Sequence, residues 1–346
     1  MPTWAAVPIG RHGGAIAKLS IAEAPGLLPA LTLLLVLAAQ SMAKAWIDKL
    51  KNPASYLILR VISRCNKTGK RMPNFICTAC GTQYAESPLP PAECKICEEE
   101  RQYVPPHGQT WTTLEVLRQD HINAWREYEP GITGVGSQPT FAIGQRALLL
   151  RMPRGNVLWD CISLLDAATI SAIKALGGLK AIAISHPHFY TTMVEWAHAF
   201  DCPVHLNATD KDWIMRSDPA IVLWQGDTLK LWDGVTLIRC GGHFEGGTVL
   251  HWAGGAGGRG VVCAGDILAV ATDRKWLTFM RSYPNFIPLS SRTVAAIGQA
   301  MAPFAFETLY GHYFDRVIAK NAKSVLEKSV TRYIAALNGT RDYDRR

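Results

Sequence analysis

Residues 72–346 carry no excess charge of either sign. The 346-residue chain has a formal net charge of +8, but ten of its 36 Lys and Arg and only two of its 28 Asp and Glu, Glu23 and Asp48, fall in residues 1–71, leaving 26 against 26 beyond. With no basic surplus in the longer part, nucleic acid is not expected as a partner. Long apolar runs are scarce as well. The run from Leu27 to Ala39 falls short of the ~20 residues that cross a bilayer. Gly131-Ile-Thr-Gly-Val-Gly136 is rich in glycine, yet no Lys-Ser/Thr follows it, so a phosphate loop is not expected and the stretch reads as a linker. No internal repeat or low-complexity tract stands out, which argues against solenoid and fibrous architectures.

The chain does have histidine in informative places. His186-Pro187-His188 directly follows the apolar run Ala181-Ile-Ala-Ile-Ser185. Two imidazoles at i and i+2 leaving a buried strand can grip one metal ion only if the chain bends there, because strand alternation sends them to opposite faces. Pro187 favours that bend. Three further elements repeat the pattern of buried strand, glycine and ligand-type side chain: His243 in Cys240-Gly-Gly-His-Phe244, Asp266 after Gly260-Val-Val-Cys-Ala-Gly265, and His312 after Phe306-Glu-Thr-Leu-Tyr-Gly311. Open sheets carry their sites at such strand ends, where loops present polar groups that the interior would penalise.

In this order and setting the chain resembles the metallo-β-lactamase-fold hydrolases, over roughly residues 139 to 335. The resemblance implies an α+β fold, a four-layer αβ/βα sandwich, with His186, His188, His243, Asp266 and His312 as metal ligands. Where that family's opening motif continues with Asp and His, this chain has Tyr190 and Thr191. One site, His186, His188 and His243 with Asp266 at its edge, is therefore complete, and the second keeps only Asp266 and His312. Three histidines and one open position form the pattern of a catalytic zinc centre, so a single zinc is expected here, with iron possible in its place.

The expected activity is metal-dependent hydrolysis of a small ester, thioester, amide or lactone. Zinc lowers the pKa of a bound water to about 7, and Asp266 would orient that water or take its proton. Tyr190 is a candidate proton donor, and His312 a candidate substrate ligand, proton relay or weak second-site ligand. Trp276, Tyr283 and Asn285, soon after Asp266, are expected to line the pocket mouth. Asp160, at a strand end, is a candidate carboxylate partner for a ligand histidine. The competing classes are a catalytically silent metal-binding or protein-binding sandwich, and a redox protein if the cysteines below hold iron.

Cys77-Thr-Ala-Cys80 and Cys94-Lys-Ile-Cys97 are two knuckle pairs separated by thirteen residues. Thiolates in that spacing converge on a tetrahedral metal, by default a second zinc, with Gly81 supplying the turn. Gly81 and Tyr84 also look like a rubredoxin-type site, and iron would fit such thiolates. A closed thiolate site needs reduced cysteines and so a reducing compartment. Cys65, Cys161, Cys202, Cys240 and Cys263 share no ligand spacing and read as small buried residues.

The chain thus divides into an N-terminal extension (1–71), a four-cysteine zinc ribbon (72–104), a helical linker (105–138) with a helix near Thr113 to Tyr128, the metallo-β-lactamase-like part (139–338) and a tail (339–346). The extension, with its basic start, apolar run and Ser41-Met-Ala43, reads as a targeting or anchor segment, or as a non-native start preceding Met72. A start at Met72 would make the protein cytoplasmic. A genuine extension would direct it to an organelle, or to a membrane if residues 27–43 act as an anchor. Within the main part, strands are expected at Thr140–Ile143, Arg146–Met152 and Asn156–Cys161, helices over Asp166–Leu176, Ser290–Met301 and Arg316–Leu337, and Thr191 or Thr192 as the N-cap of a helix through Trp196. A small molecule is the expected partner; the oligomeric state has no sequence signature here.

Overall fold

The computed structural model describes residues 72–341 apart from Asp233. The extension with its apolar run, Cys65 and residues 342–346 lie outside the described residues.

The chain opens with a three-stranded antiparallel sheet, β1 (Asn74–Cys77), β2 (Gln83–Glu86) and β3 (Trp111–Thr112), in the order β2-β1-β3. β3 lies beyond residue 104, so the ribbon sheet takes in part of the expected linker. A short helix α1 (Leu114–Asp120) follows, N-capped by Thr113, whose hydroxyl accepts from Val116 N. The expected helix does not continue to Tyr128. The next residues form β4 (Ile122–Glu129) and β5 (Ile132–Gln138), a hairpin of the seven-stranded sheet, and the glycine-rich stretch is strand rather than linker. Thr140–Ile143, expected as strand, is a turn.

The rest of the seven-stranded sheet comprises β6 (Arg146–Leu150), β7 (Val157–Trp159), β8 (Ala181–Ala183), β9 (Val204–Asn207) and β10 (Ile221–Trp224), in the order β10-β9-β8-β7-β6-β5-β4. Helix α2 (Ala167–Ala175) links β7 to β8, and α3 (Met193–Phe200) links β8 to β9. Asp166 caps α2 through Thr169 N, as its position predicts. Thr192 does precede α3, but its hydroxyl donates to the carbonyls of Ile162 and Ser163 instead of capping the helix.

The six-stranded sheet contains β11 (Thr228–Trp232), β12 (Val235–Arg239), β13 (Thr248–Trp252) and β14 (Val261–Gly265). One tight turn, α4 (Gly255–Gly258), joins β13 to β14. Two hairpins follow, β15 (Ala269–Val270) with β16 (Leu277–Thr278) and β17 (Met280–Ser282) with β18 (Ile287–Pro288), then α5 (Ser291–Met301), β19 (Thr308–Gly311), β20 (Val317–Ile318) and α6 (Ala322–Leu337). The strand order is β11-β12-β13-β14-β19-β20. Residues 317–318, expected as helix, form its edge strand.

Alternation explains the layering. In β6 all five residues are buried; Leu148 and Leu150 point between the sheets, toward Leu237, Leu250 and Val261, while Ala147 and Leu149 point outward, toward Ile173, Met193 and Trp196 of α2 and α3. In β14, Val261 and Cys263 face the inter-sheet core and Val262 faces Val294, Ile297 and Leu326 of α5 and α6. A strand covered on both faces must be apolar throughout, and each such Leu, Ile or Val contributes about 1.5–3 kcal/mol of burial. The layers run helix, sheet, sheet, helix.

Candidate metal centres and the cavity over the histidines

The two sheets place their ligand-type residues at neighbouring strand ends. After β8 the chain turns through a single 3-10 turn, Pro187–Phe189, with Pro187 in its first turn, and this is the bend that lets both histidines face one point. His243 comes from the β12–β13 loop and Asp266 follows β14. One ligand atom from each of His186, His188, His243 and Asp266 lies within 4.8 Å of all the others, and all four residues are buried. The three imidazoles form a near-equilateral triangle, with centroids 4.9, 5.0 and 5.0 Å apart.

Asp266 can reach this cluster because Gly265 precedes it. Gly265 has φ +54°, and a Cβ there would sit 2.6 Å from Ser185 Oγ, the hydroxyl that meets His186 Nδ1 at 2.9 Å. A glycine is required by both the left-handed backbone and the close approach. Asp160, at the end of β7, accepts from Ser185 N at 2.7 Å, so it supports His186 through Ser185 and not by direct contact. On the other side, His243 Nδ1 meets Met280 O at 3.1 Å. These contacts leave the inner nitrogens of His186 and His243 for the centre.

Electrostatics favours a cation there. Burial holds the His186 and His188 imidazoles well below their usual range and lowers His243 to about 4, so all three are neutral, the ligating form, at neutral pH. Burial raises the carboxyls of Asp266 and Asp160 to about 7 each. His186 Nε2 and Asp266 Oδ1 are 3.1 Å apart, yet neither has a hydrogen-bond partner, and His243 Nε2 faces His188 Nδ1 at 3.2 Å. Donors each about 2.0–2.1 Å from a shared tetrahedral zinc would be about 3.3 Å apart. The residues present therefore fit such an ion.

The four knuckle cysteines also converge. Cys77 and Cys97 Sγ are 3.6 Å apart, as are Cys80 and Cys94 Sγ, against about 3.8 Å for sulfurs around tetrahedral zinc. Tyr84 donates to Cys94 Sγ at 3.4 Å and Gln109 Nε2 to Cys77 Sγ at 3.0 Å. Hydrogen bonds from the other three thiols pull Cys77 strongly down while burial pushes Cys80 up. Cys161, Cys202, Cys240 and Cys263 are buried and unpaired, as expected.

A cavity of about 610 Å³ opens over the histidine cluster, with His188, His243 and Asp266 in its wall. His312 borders it and stands outside the four-residue cluster. Its Nδ1 is enclosed and unpartnered, and burial, followed by the neighbouring Arg146 cation, lowers the ring to about 3. Tyr283 lines the cavity as expected, its hydroxyl donating to Asp266 O at 2.7 Å. Two other expected pocket residues do not line it. The Trp276 ring lies under the Arg332 guanidinium at 3.9 Å, beside α6, and Asn285 donates to the carbonyls of Glu100 and Gln102, tying down the segment after the knuckle. Tyr190 is also displaced from its expected catalytic role. The 3-10 turn rotates its side chain into the apolar cluster with Met193 and Trp196, and it does not reach the cavity.

Other residues of the site carry no local sequence signal. Arg101, Gln102 and Tyr103 form one wall of the cavity, Arg316 and Tyr313 another part. Phe244 packs against His186, His188 and His243 at 5.4, 5.0 and 5.2 Å. Buried Asp210 accepts from Gly246 N at 2.9 Å and so steadies the loop that bears His243. Arg146, buried behind the site, donates to Tyr128 at 2.6 Å and to the carbonyl of Gly311, next to His312.

Two face-to-face sheets flanked by helices, with three histidines and an aspartate gathered at their strand ends, constitute the metallo-β-lactamase fold. The chain belongs to the family of the uncharacterized protein YmaE of Bacillus subtilis strain 168, with which it is 47% identical over 269 residues, 77% of this chain and 98% of YmaE. No family profile matches the chain. Similar solved structures include VMB-1 (TM-score 0.47, 12% identity, 62% of this chain and 97% of that one). Others are the metallo-β-lactamase SMB-1 bound to 2-mercaptoethanesulfonate (0.41, 16%, 64% and 98%) and a motif mutant of a Cronobacter sakazakii metallo-β-lactamase (0.42, 18%, 62% and 96%). At those scores the fold rests on the layer order and ligand placement described above. Among the described residues, no helix is long and apolar enough to cross a membrane.

Proposed function

We propose that this protein is a metal-dependent hydrolase that acts on a small acyl substrate, an ester, thioester, amide or lactone, at a mononuclear centre. The observation that carries the reading is the set of unpartnered donors, His188 Nε2 and Asp266 Oδ1 on residues that wall a cavity of about 610 Å³ and His186 Nε2 beside Asp266 at 3.1 Å. His186, His188 and His243, with Asp266, would hold one zinc ion. A zinc ion bound there supplies Lewis acidity toward a carbonyl and an acidified water.

The residues around it divide the remaining work. Asp266, a carboxyl held near 7, takes or orients a proton at its free oxygen. Tyr283 fixes the Asp266 backbone, and His312, neutral and bordering the cavity, would bind substrate or relay a proton. Ala142, Ile143 and Val270 supply apolar wall. The four-cysteine group would hold a second zinc in a closed, structural site; the thiolates equally accept iron, and elemental analysis separates the two. Four reduced cysteines in one cluster fit a reducing compartment.

The test is turnover of ester, thioester and lactone panels by the zinc-loaded chain, with metal counted per chain. Two zincs and a hydrolytic activity abolished by His188→Ala are expected. Full zinc loading without turnover of any of these classes would refute the hydrolase and leave a silent metal-binding sandwich.

A further inference from the structure

The four-cysteine knuckle lies against the same two loops that carry the histidines, and the contacts are polar and buried. Gln145, itself buried, donates through one Nε2 to Cys80 O at 2.7 Å and to His188 O at 3.1 Å. One amide thus joins the main chain of a knuckle cysteine to that of a candidate ligand histidine. Gln83 N adds a bond to Thr191 O at 3.0 Å, and Ser163 Oγ one to Gly81 O at 2.9 Å. Four residues past Cys97, Arg101 pairs with Glu99 at 2.8 Å and with Glu245 at 3.0 Å. Its guanidinium lies 4.3 Å from the Phe244 ring, the ring that packs against all three imidazoles. Arg101 is only 3% exposed, so this contact is part of the interior. Gln102 and Tyr103 then continue into the cavity wall.

The knuckle has little of its own to keep this shape. Its apolar cluster is the four cysteines with Phe75, Ile96 and Trp111, too small a core to fold by burial alone, so whatever holds the thiolates together also holds Cys80 and the chain leading to Arg101. We infer that Gln145 and Arg101 are positioning residues through which the four-cysteine knuckle fixes His188 and His243, so that the knuckle is a working part of the histidine centre. The inference rests on the metal-binding reading of that centre, and not on its turnover. Loss of the Gln145 amide frees the His188 main chain, and loss of the Arg101 guanidinium frees the Glu245–Phe244 side of the His243 loop. Each change loosens donor geometry without removing a donor.

Cobalt(II) substitution of the full chain tests this, because thiolate-to-cobalt absorption reports on the cysteine group and the d–d bands of a nitrogen and oxygen site report on the histidine centre. Gln145→Met and Arg101→Met are each expected to keep the thiolate absorption, which certifies a folded knuckle, while histidine-site cobalt affinity falls about 10–100-fold and its d–d bands change. Cys94→Ser should produce the same histidine-site change. The double variant Cys94→Ser/Gln145→Met should be no worse than the poorer single, since both break one chain of contacts. Should Cys94→Ser fail to fold, the two methionine variants carry the test alone. Histidine-site bands and affinity unaltered by Gln145→Met, or additive losses in the double variant, overturn the inference. Absence of any histidine-site band in the wild-type chain overturns the function proposed above together with it.

Discussion

Metal binding at the histidine centre should displace one proton, and mainly from one residue. In the metal-free protein burial keeps His186 and His188 neutral well below pH 6.5 and His243 neutral down to about 4, whereas the Asp266 carboxyl titrates at about 7. Between pH 4.5 and 6.5 the histidines are therefore ready to ligate and Asp266 still carries its proton. The apparent zinc affinity should rise tenfold per pH step in that range and level off above about pH 8. At pH 5 it should be about 100-fold below the plateau, close to 3 kcal/mol. Competition against a chromophoric chelator at stepped pH measures this directly. Asp266→Asn should lower the plateau and abolish the slope; a slope remaining in that variant would assign the proton to Asp160, which titrates in the same range. A slope between pH 5 and 7 that survives in the Asp160→Asn/Asp266→Asn double variant would mean that histidines are being deprotonated, and the reasoning about burial would be wrong.

Two further outcomes follow from the geometry. Burial raises the folded-state Asp160 carboxyl to about 7 against 3.8 in the ordinary group, so the folded state binds the proton more tightly than the unfolded chain. That contribution is fully present below about pH 4 and is lost as pH rises through 7; Asp160→Asn, whose side-chain oxygen can still accept from Ser185 N, should reduce the pH dependence of the metal-free protein's Tm between pH 5 and 8 by about 2–4 kcal/mol, leaving the part due to Asp266, which is raised to the same range. An unchanged Tm profile would show that Asp160 is ionised throughout. Gly265→Ala adds a Cβ at φ +54° and 2.6 Å from Ser185 Oγ, which should cost about 1–3 kcal/mol in denaturant unfolding. It should also weaken zinc binding by shifting Ser185 from His186, and retention of wild-type values for both would contradict the close approach.

The parts of this site that were legible in the sequence are those whose constraint is local. His186-Pro187-His188, His243 and Asp266 each follow an apolar strand, which brings them to one edge of the sheets, and Pro187 and Gly265 mark the turns by which they converge. Paired cysteines likewise announce the knuckle by spacing. Where a long-range contact decides, the pattern misleads. Gly136 reads as linker, but a Cβ there would sit 2.6 Å from a Phe314 ring carbon, so the glycine is there to admit an aromatic ring from 178 positions along the chain. Tyr190 sits beside two candidate ligands in sequence, yet one 3-10 turn sends it into the core. Arg101 follows three glutamates and looks like solvated charge; only the Phe244 face and Glu245 make it interior. His312 shares the strand-glycine-ligand pattern and lies outside the four-residue cluster, so the pattern alone does not say which of these side chains meet.

The underside of the ribbon has a practical consequence for anyone handling the protein in pieces. Ile76 of β1 shares an apolar cluster with Leu114 and Leu117 of α1 and with Leu164 of the sandwich. A fragment cut just ahead of β4 would strip Leu164 of its apolar partners and Phe244 of the Arg101 guanidinium that covers it. Such a fragment should come out of expression insoluble or as soluble aggregate, and an enzymologist who trims the cysteines away for convenience would be studying a damaged surface.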